Sequence, residues 1–169
     1  MPNRLLLADR LDQALADTSR GGHGVAVMFL DLDRFKEVND THGHATGDAL
    51  LKALTLGLQD CLRGGDTLAR LGGDEFVIVL PNIASAKDAV AVAEKILAFV
   101  SRPIELPGVA LQSGVSIGIA LYPACGANPA ELMRAADDAM YRAKQEGRNT
   151  YRLCERAIGD ASCTSGPCA

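Results

Sequence analysis

The stretch TLARLGGDEFVIVL, Thr67 to Leu80, sets two β-rich runs on either side of adjacent glycines. Runs of this kind around a glycine pair read as a β-hairpin. A hairpin next to a buried strand excludes a purely parallel sheet. The same stretch places Asp74 and Glu75 side by side at the bend, directly before apolar residues. Two adjacent acids at a strand end repel each other, so the pair points to a cation that they hold.

Working outward, VAVMFLD, Val25 to Asp31, is continuously apolar and reads as a strand buried on both faces. Before it, Leu7, Leu11, Ala14 and Leu15 form an amphipathic stripe over residues 3–18, with Asn3 as its cap. The spacing predicts a polar connection with a short helical turn over 34–47. A helix carrying Leu50, Leu51, Leu54, Leu58 and Leu62 follows, entered through Thr46 and Asp48. Ser85, with Asp88 three residues on, opens a helix with Ala89, Val92, Ala93, Ile96 and Val100 inward. GVSIGIALYP, from Gly114, alternates as a strand with one covered face, its Gly and Ser on the other leaving space for something close. A helix runs from about Pro129 to Gln145, Gly147 ends it, and TYRL forms a short edge strand. The mixture predicts an α+β fold, a mainly antiparallel central sheet flanked by helices.

The chain has 169 residues, 48% hydrophobic and 22% charged, a composition that suits one domain with its own core. With no Trp and a net charge of −4, it is not built to bind nucleic acid. No apolar run is long enough to cross a membrane, and MPNRLLLADR lacks the character of a signal peptide. The five cysteines, Cys61, Cys125, Cys154, Cys163 and Cys168, form no CxxC pair and read as reduced cytosolic thiols. The residues from Ala157 on show no periodicity and read as a disordered tail or linker beyond a domain of residues 1–156.

Chemistry concentrates at two strand ends. Asp31 and Asp33 close the buried strand, and Asp74 and Glu75 sit at the hairpin bend. If the strands are neighbours, the acids converge into a cradle for one or two Mg²⁺ ions, which take hard oxygen ligands and substrate phosphates. A calcium loop is excluded because Phe35 and Lys36 stand where an EF-hand needs a ligand and a glycine. His42 and His44 lack a third ligand for zinc.

The segments RLGGDEF (70–76), DLDRFKEVND (31–40) and YRAKQEGRN (141–149) closely resemble the GGDEF-domain family, the diguanylate cyclases. The resemblance covers about Pro2 to Leu153. It implies a fold related to nucleotide cyclases and polymerase palms, and synthesis of cyclic di-GMP and pyrophosphate from two GTP. Asp31, Asp74 and the Leu32 carbonyl match the family's ligands for two Mg²⁺ (or Mn²⁺) ions per active site. Asn39 and Asp48 match its guanine contacts. Arg34, Phe35, Lys36, Lys144 and Arg148 match its phosphate contacts, and Gly72 and Gly73 the turn that wraps the nucleotide. Glu75 matches the fourth signature position, which assists the 3′-hydroxyl or the metals. Arg63 and Asp66, in RGGD, match an inhibitory site for the product.

By the same resemblance, catalysis needs a second GGDEF domain facing the first, in the bacterial cytoplasm. Members usually carry Asp-x-Leu-Thr-Gly-Leu just before the segment matching PNR. The chain starts at MPNR, so the expectation is a shortened domain whose Arg70 lacks its usual Asp partner. The alternative is a catalytically weak regulatory domain that binds GTP or cyclic di-GMP and controls an attached phosphodiesterase or other output domain.

Overall fold

A computed structural model describes residues 2–156. Five strands form the central sheet: β1 (Gly24–Asp33), β2 (Thr67–Gly72), β3 (Glu75–Ile83), β6 (Gly114–Tyr122) and β7 (Thr150–Leu153), in the order β2-β3-β1-β6-β7. All neighbours are antiparallel except β6 and β7. Five helices accompany them: α1 (Arg4–Gly21), α2 (Phe35–His42), α3 (His44–Asp60), α4 (Ala86–Val100) and α5 (Pro129–Gln145). The α+β architecture read from the sequence is the one observed.

Each face of the sheet carries a core, and strand alternation assigns residues to them. Ala26, Met28, Leu30 and Leu32 of β1 pack with Leu50, Leu54, Ala93 and Ile96 of α3 and α4. Val25, Val27 and Phe29 pack with Leu7 and Leu11 of α1 and Leu132, Ala136 and Met140 of α5. Burial of β1 on both faces explains its unbroken apolar run. The parity continues into the site, because odd-numbered Asp31 and Asp33 lie on the α5 face.

Several local expectations hold. Asn3 caps α1, its side chain accepting from the Leu6 amide at 3.1 Å. Ser85 and Asp88 form the capping box of α4. The hairpin turns through Gly73 and Asp74, with Gly72 paired to Glu75. Gly72 (φ 149°) and Gly73 (φ 53°) both take backbone conformations that favour glycine.

Others are corrected. Residues 34–47 are mostly helical: α2 occupies eight residues, and α3 begins at His44 rather than at Thr46 or Asp48. The polar composition of this stretch belongs to a helix with no buried residue, which periodicity cannot detect. A small hairpin, β4 (Ile104–Leu106) and β5 (Val109–Leu111), was not anticipated. β6 is covered on both faces. A Cβ at Gly118 would collide with the Ala136 carbonyl oxygen and the Met140 amide, so the space left by glycine is filled by the α5 backbone.

The reading of the cysteines as reduced thiols does not hold for Cys125 and Cys154. Cys125 and Cys154 are joined by a disulfide across 29 residues, with Cα atoms 6.3 Å apart. The Cys154 amide donates to the Ile119 carbonyl and the Cys125 amide to the Leu121 carbonyl, so the sheet brings the two together. Cys61 is free and buried; Cys163, Cys168 and the tail expectation lie outside the described residues.

Candidate active site at the ends of β1 and β3

β1 ends where β3 begins, because the strands are antiparallel. Asp31 stands opposite Glu75, and the Leu32 amide donates to the Asp74 carbonyl at 3.2 Å. Asp31, Leu32, Asp74 and Glu75 therefore meet, as expected from two sequence segments more than forty residues apart.

Asp31 is 7% exposed. Burial pushes its carboxyl up to about 6; a hydrogen bond from Lys144 opposes the rise and the charge of Asp74 adds to it. The Lys144 ammonium, from the last turn of α5, lies 2.7 Å from Asp31 Oδ2. This is the arrangement of a carboxylate that carries its charge only with a cation beside it. Among the described residues no three His, Cys, Asp or Glu side chains cluster as a complete metal centre. Two carboxylates and a backbone carbonyl still fit Mg²⁺, which is commonly bound by one or two carboxylates and completes its shell with water and phosphate oxygens.

Of the phosphate-contact candidates, Lys144 meets Asp31 directly, and the others lie at the start of α2 and after α5. Arg34 takes a left-handed conformation (φ 58°) and starts α2, leaving the first amides of the helix, at Phe35 and Lys36, without intrahelical partners. Lys36 and Arg148 are exposed. Arg34 and Arg148 line one open cleft of about 540 Å³, together with Asp33, Gly147 and Asn149.

Asn39 packs against the start of α3 at a glycine for which the sequence analysis had no role. Gly47 is buried, and a Cβ there would overlap the Asn39 side-chain oxygen. Glycine lets Asn39 lie against α3 at the residue that precedes Asp48. The Asn39 oxygen is buried against Gly47 with no hydrogen-bond partner. Asp48 is exposed and shares a second pocket with Arg70. The Arg70 guanidinium donates to the Gly73 carbonyl at 2.9 Å, bracing the turn that presents Asp74.

Arg63 and Asp66 lie apart from this cluster, in the connection between α3 and β2. The Asp66 carboxylate accepts from the Arg63 amide at 2.8 Å, and the Asp66 amide donates to the Arg63 carbonyl at 3.1 Å. The carboxylate is thus engaged in closing its own turn, while the Arg63 side chain is exposed.

Residues 1–150 match the family described as diguanylate cyclase, GGDEF domain. The chain belongs to the GGDEF family. It is 45% identical over 156 residues to the diguanylate cyclase TpbB of Pseudomonas aeruginosa, covering 92% of this chain and 36% of that protein. It is 46% identical to the bifunctional diguanylate cyclase/cyclic di-GMP phosphodiesterase MucR of the same species, covering 94% of this chain and 23% of that protein. The chain thus spans about a third or less of the length of these curated relatives. The crystal structure of the TpbB GGDEF domain superposes with a TM-score of 0.90 at 44% identity, covering 92% of this chain and 97% of that one. The GGDEF domain of DgcB from Caulobacter crescentus, solved in complex with cyclic di-GMP, gives a TM-score of 0.82 at 32% identity, with 92% of each chain covered. Among the described residues no helix is long and apolar enough to cross a membrane.

Proposed function

We propose that this GGDEF domain condenses two GTP into cyclic di-GMP and pyrophosphate, as a source of second messenger in the bacterial cytoplasm. The observation that carries the reading is the convergence of Asp31 and Asp74, with Lys144 bonded to the buried Asp31. Asp31, Asp74 and the Leu32 carbonyl would hold two Mg²⁺ or Mn²⁺ ions, which would neutralise the triphosphate and polarise the α-phosphorus. The amides of Phe35 and Lys36, with Arg34, Lys36, Lys144 and Arg148, would hold the phosphates. Asn39 and Asp48 would recognise guanine, the carboxylate accepting from N1–H and the amino group. The open turn at Gly72 and Gly73 admits the nucleotide.

The reaction is phosphoryl transfer, driven by positioning and charge neutralisation. The 3′-hydroxyl of each GTP attacks the α-phosphate of the other, in two steps that each release one pyrophosphate, with Glu75 or water taking the hydroxyl proton. One domain offers one such site, so two domains must face each other. Residues 1–156 would form that catalytic unit, and Arg63 and Asp66 would bind cyclic di-GMP as an inhibitor.

The regulatory alternative keeps binding and loses synthesis. An uninterrupted set of carboxylates and basic residues supports synthesis instead. The test is incubation with GTP and Mg²⁺ at high domain concentration, with chromatographic separation of nucleotides. Cyclic di-GMP is the expected product; bound but unconverted GTP would favour the regulatory reading.

A further inference from the structure

Asp33 is the one acid at the end of β1 for which the catalytic scheme has no use. Its carboxylate is held from two elements. Oδ1 accepts from the Ser116 hydroxyl on β6 at 2.7 Å, and Oδ2 accepts from the backbone amide of Asn149 at 2.8 Å, 116 residues away. Asn149 also reaches back: its side-chain oxygen accepts from the Val115 amide, and its amide group donates to Ser101 at the end of α4, both at 3.4 Å.

The backbone around Asn149 needs holding. Gly147 (φ 118°), Arg148 (φ 63°) and Asn149 (φ 46°) are three consecutive residues in conformations that side chains other than glycine's rarely adopt. Two of them are not glycine, so the loop persists only where its surroundings enforce it. Asp33 is the charged partner on the Asn149 amide. The neighbouring strand is shaped to allow it: a Cβ at Gly114, which pairs with Asp33, would lie 2.9 Å from Asp33 Oδ2 and 3.2 Å from Asn149. This loop carries Arg148, and it begins directly after the turn of α5 that carries Lys144.

We propose that Asp33 is a positioning residue for phosphate recognition: through Asn149 it clamps the strained loop Gly147–Asn149 to the end of β1, so that Arg148 faces the same cleft as Arg34. Asp33 itself touches no substrate. Because the clamp joins the loop to the strand bearing Asp31, it sets the distance between the basic residues and the carboxylate cradle. A one-ångström error in such positioning costs up to about a hundredfold in rate. The inference rests on the proposed GTP site and adds to it a residue that acts through another.

The experiment is a double-mutant cycle on GTP·Mg²⁺ affinity with Asp33→Ala, Arg148→Ala and the pair, alongside hydrogen exchange at the Asn149 amide. Asp33→Ala should weaken GTP binding about tenfold or more and expose the Asn149 amide to exchange. The double variant should be no weaker than Arg148→Ala by itself, because a displaced Arg148 contributes nothing further. Asp33→Asn retains an acceptor for the Asn149 amide, so it should restore most of the affinity; it also serves if the alanine variant does not fold. Additive losses, or an Asn149 amide as protected in Asp33→Ala as in the unaltered domain, would overturn the proposal while GTP binding stands. Failure of the unaltered domain to bind GTP would overturn the functional reading and this inference with it.

Discussion

Lys144 Nζ lies 2.7 Å from Asp31 Oδ2, joining the last turn of α5 to the end of β1. The bond ties an element delivered late in the chain to the most buried acid of the site. Lys144 therefore does two things: it offsets the desolvation of Asp31, and it brings positive charge to where a triphosphate would arrive.

Lys144→Ala should weaken GTP binding by roughly 1.5–3 kcal/mol, the worth of a charge-assisted contact. The loss should appear mainly in KM, because the lysine meets phosphate in the ground state as well as in the transition state. Titration calorimetry and steady-state kinetics measure both; a lower kcat at unchanged KM would show that Lys144 acts only in the transition state.

The raised pKa of Asp31 has a consequence for stability. An Asp whose folded value is about 6, against 3.8 ordinarily, favours folding most at low pH. That contribution is full below about pH 4 and disappears as pH rises through about 6. In metal-free buffer, Asp31→Asn should remove this component. The variant's thermal midpoint should gain on that of the original protein as pH rises from 4 to 7. Parallel curves across that range would contradict the buried environment described for Asp31.

Asp48→Ala should cost GTP more than ATP, because a carboxylate placed for guanine N1–H and its amino group has no equivalent use with adenine. Competition binding of the two nucleotides decides this. Equal losses for both would remove Asp48 from base recognition and leave the Asn39 amide as the remaining base contact.

The disulfide Cys125–Cys154 closes a segment containing α5 and β7. Replacing both cysteines by serine should lower unfolding stability by about 2–4 kcal/mol under oxidising conditions. The gap should close when reductant is added to the original protein. Denaturant titrations with and without reductant give the comparison; no gap in oxidising buffer would mean the bond contributes nothing in solution.

Much of this was legible because apolar patterning and turn chemistry act locally. The unbroken run from Val25 to Leu30 required burial on both sides, and the glycines at 72 and 73 required a turn. The convergence of Asp31 with Asp74 followed once the two strands were taken as neighbours. What escaped depends on packing between distant segments. The small residues of β6 signal a close approach at Gly118, but not that the approaching group is the α5 backbone. Gly47 carried no signal in a helix start, yet it determines how Asn39 sits. The tie from Asp33 to the Asn149 amide is invisible in sequence because the acceptor's partner is backbone, which has no residue type. Cys125 and Cys154 meet only because β7 runs parallel to β6, an order that no local pattern reveals.

The central claim is that two copies of this site, each holding one GTP, together make cyclic di-GMP. The most direct measurement is the initial rate of cyclic di-GMP formation from GTP and Mg²⁺ over a hundredfold range of domain concentration, with Asp74→Ala as the control. Specific activity should rise with concentration until the domains are paired, and Asp74→Ala should form no product while remaining folded. Specific activity that stays flat across the range, or an Asp74→Ala variant that keeps most of the activity, would contradict the account.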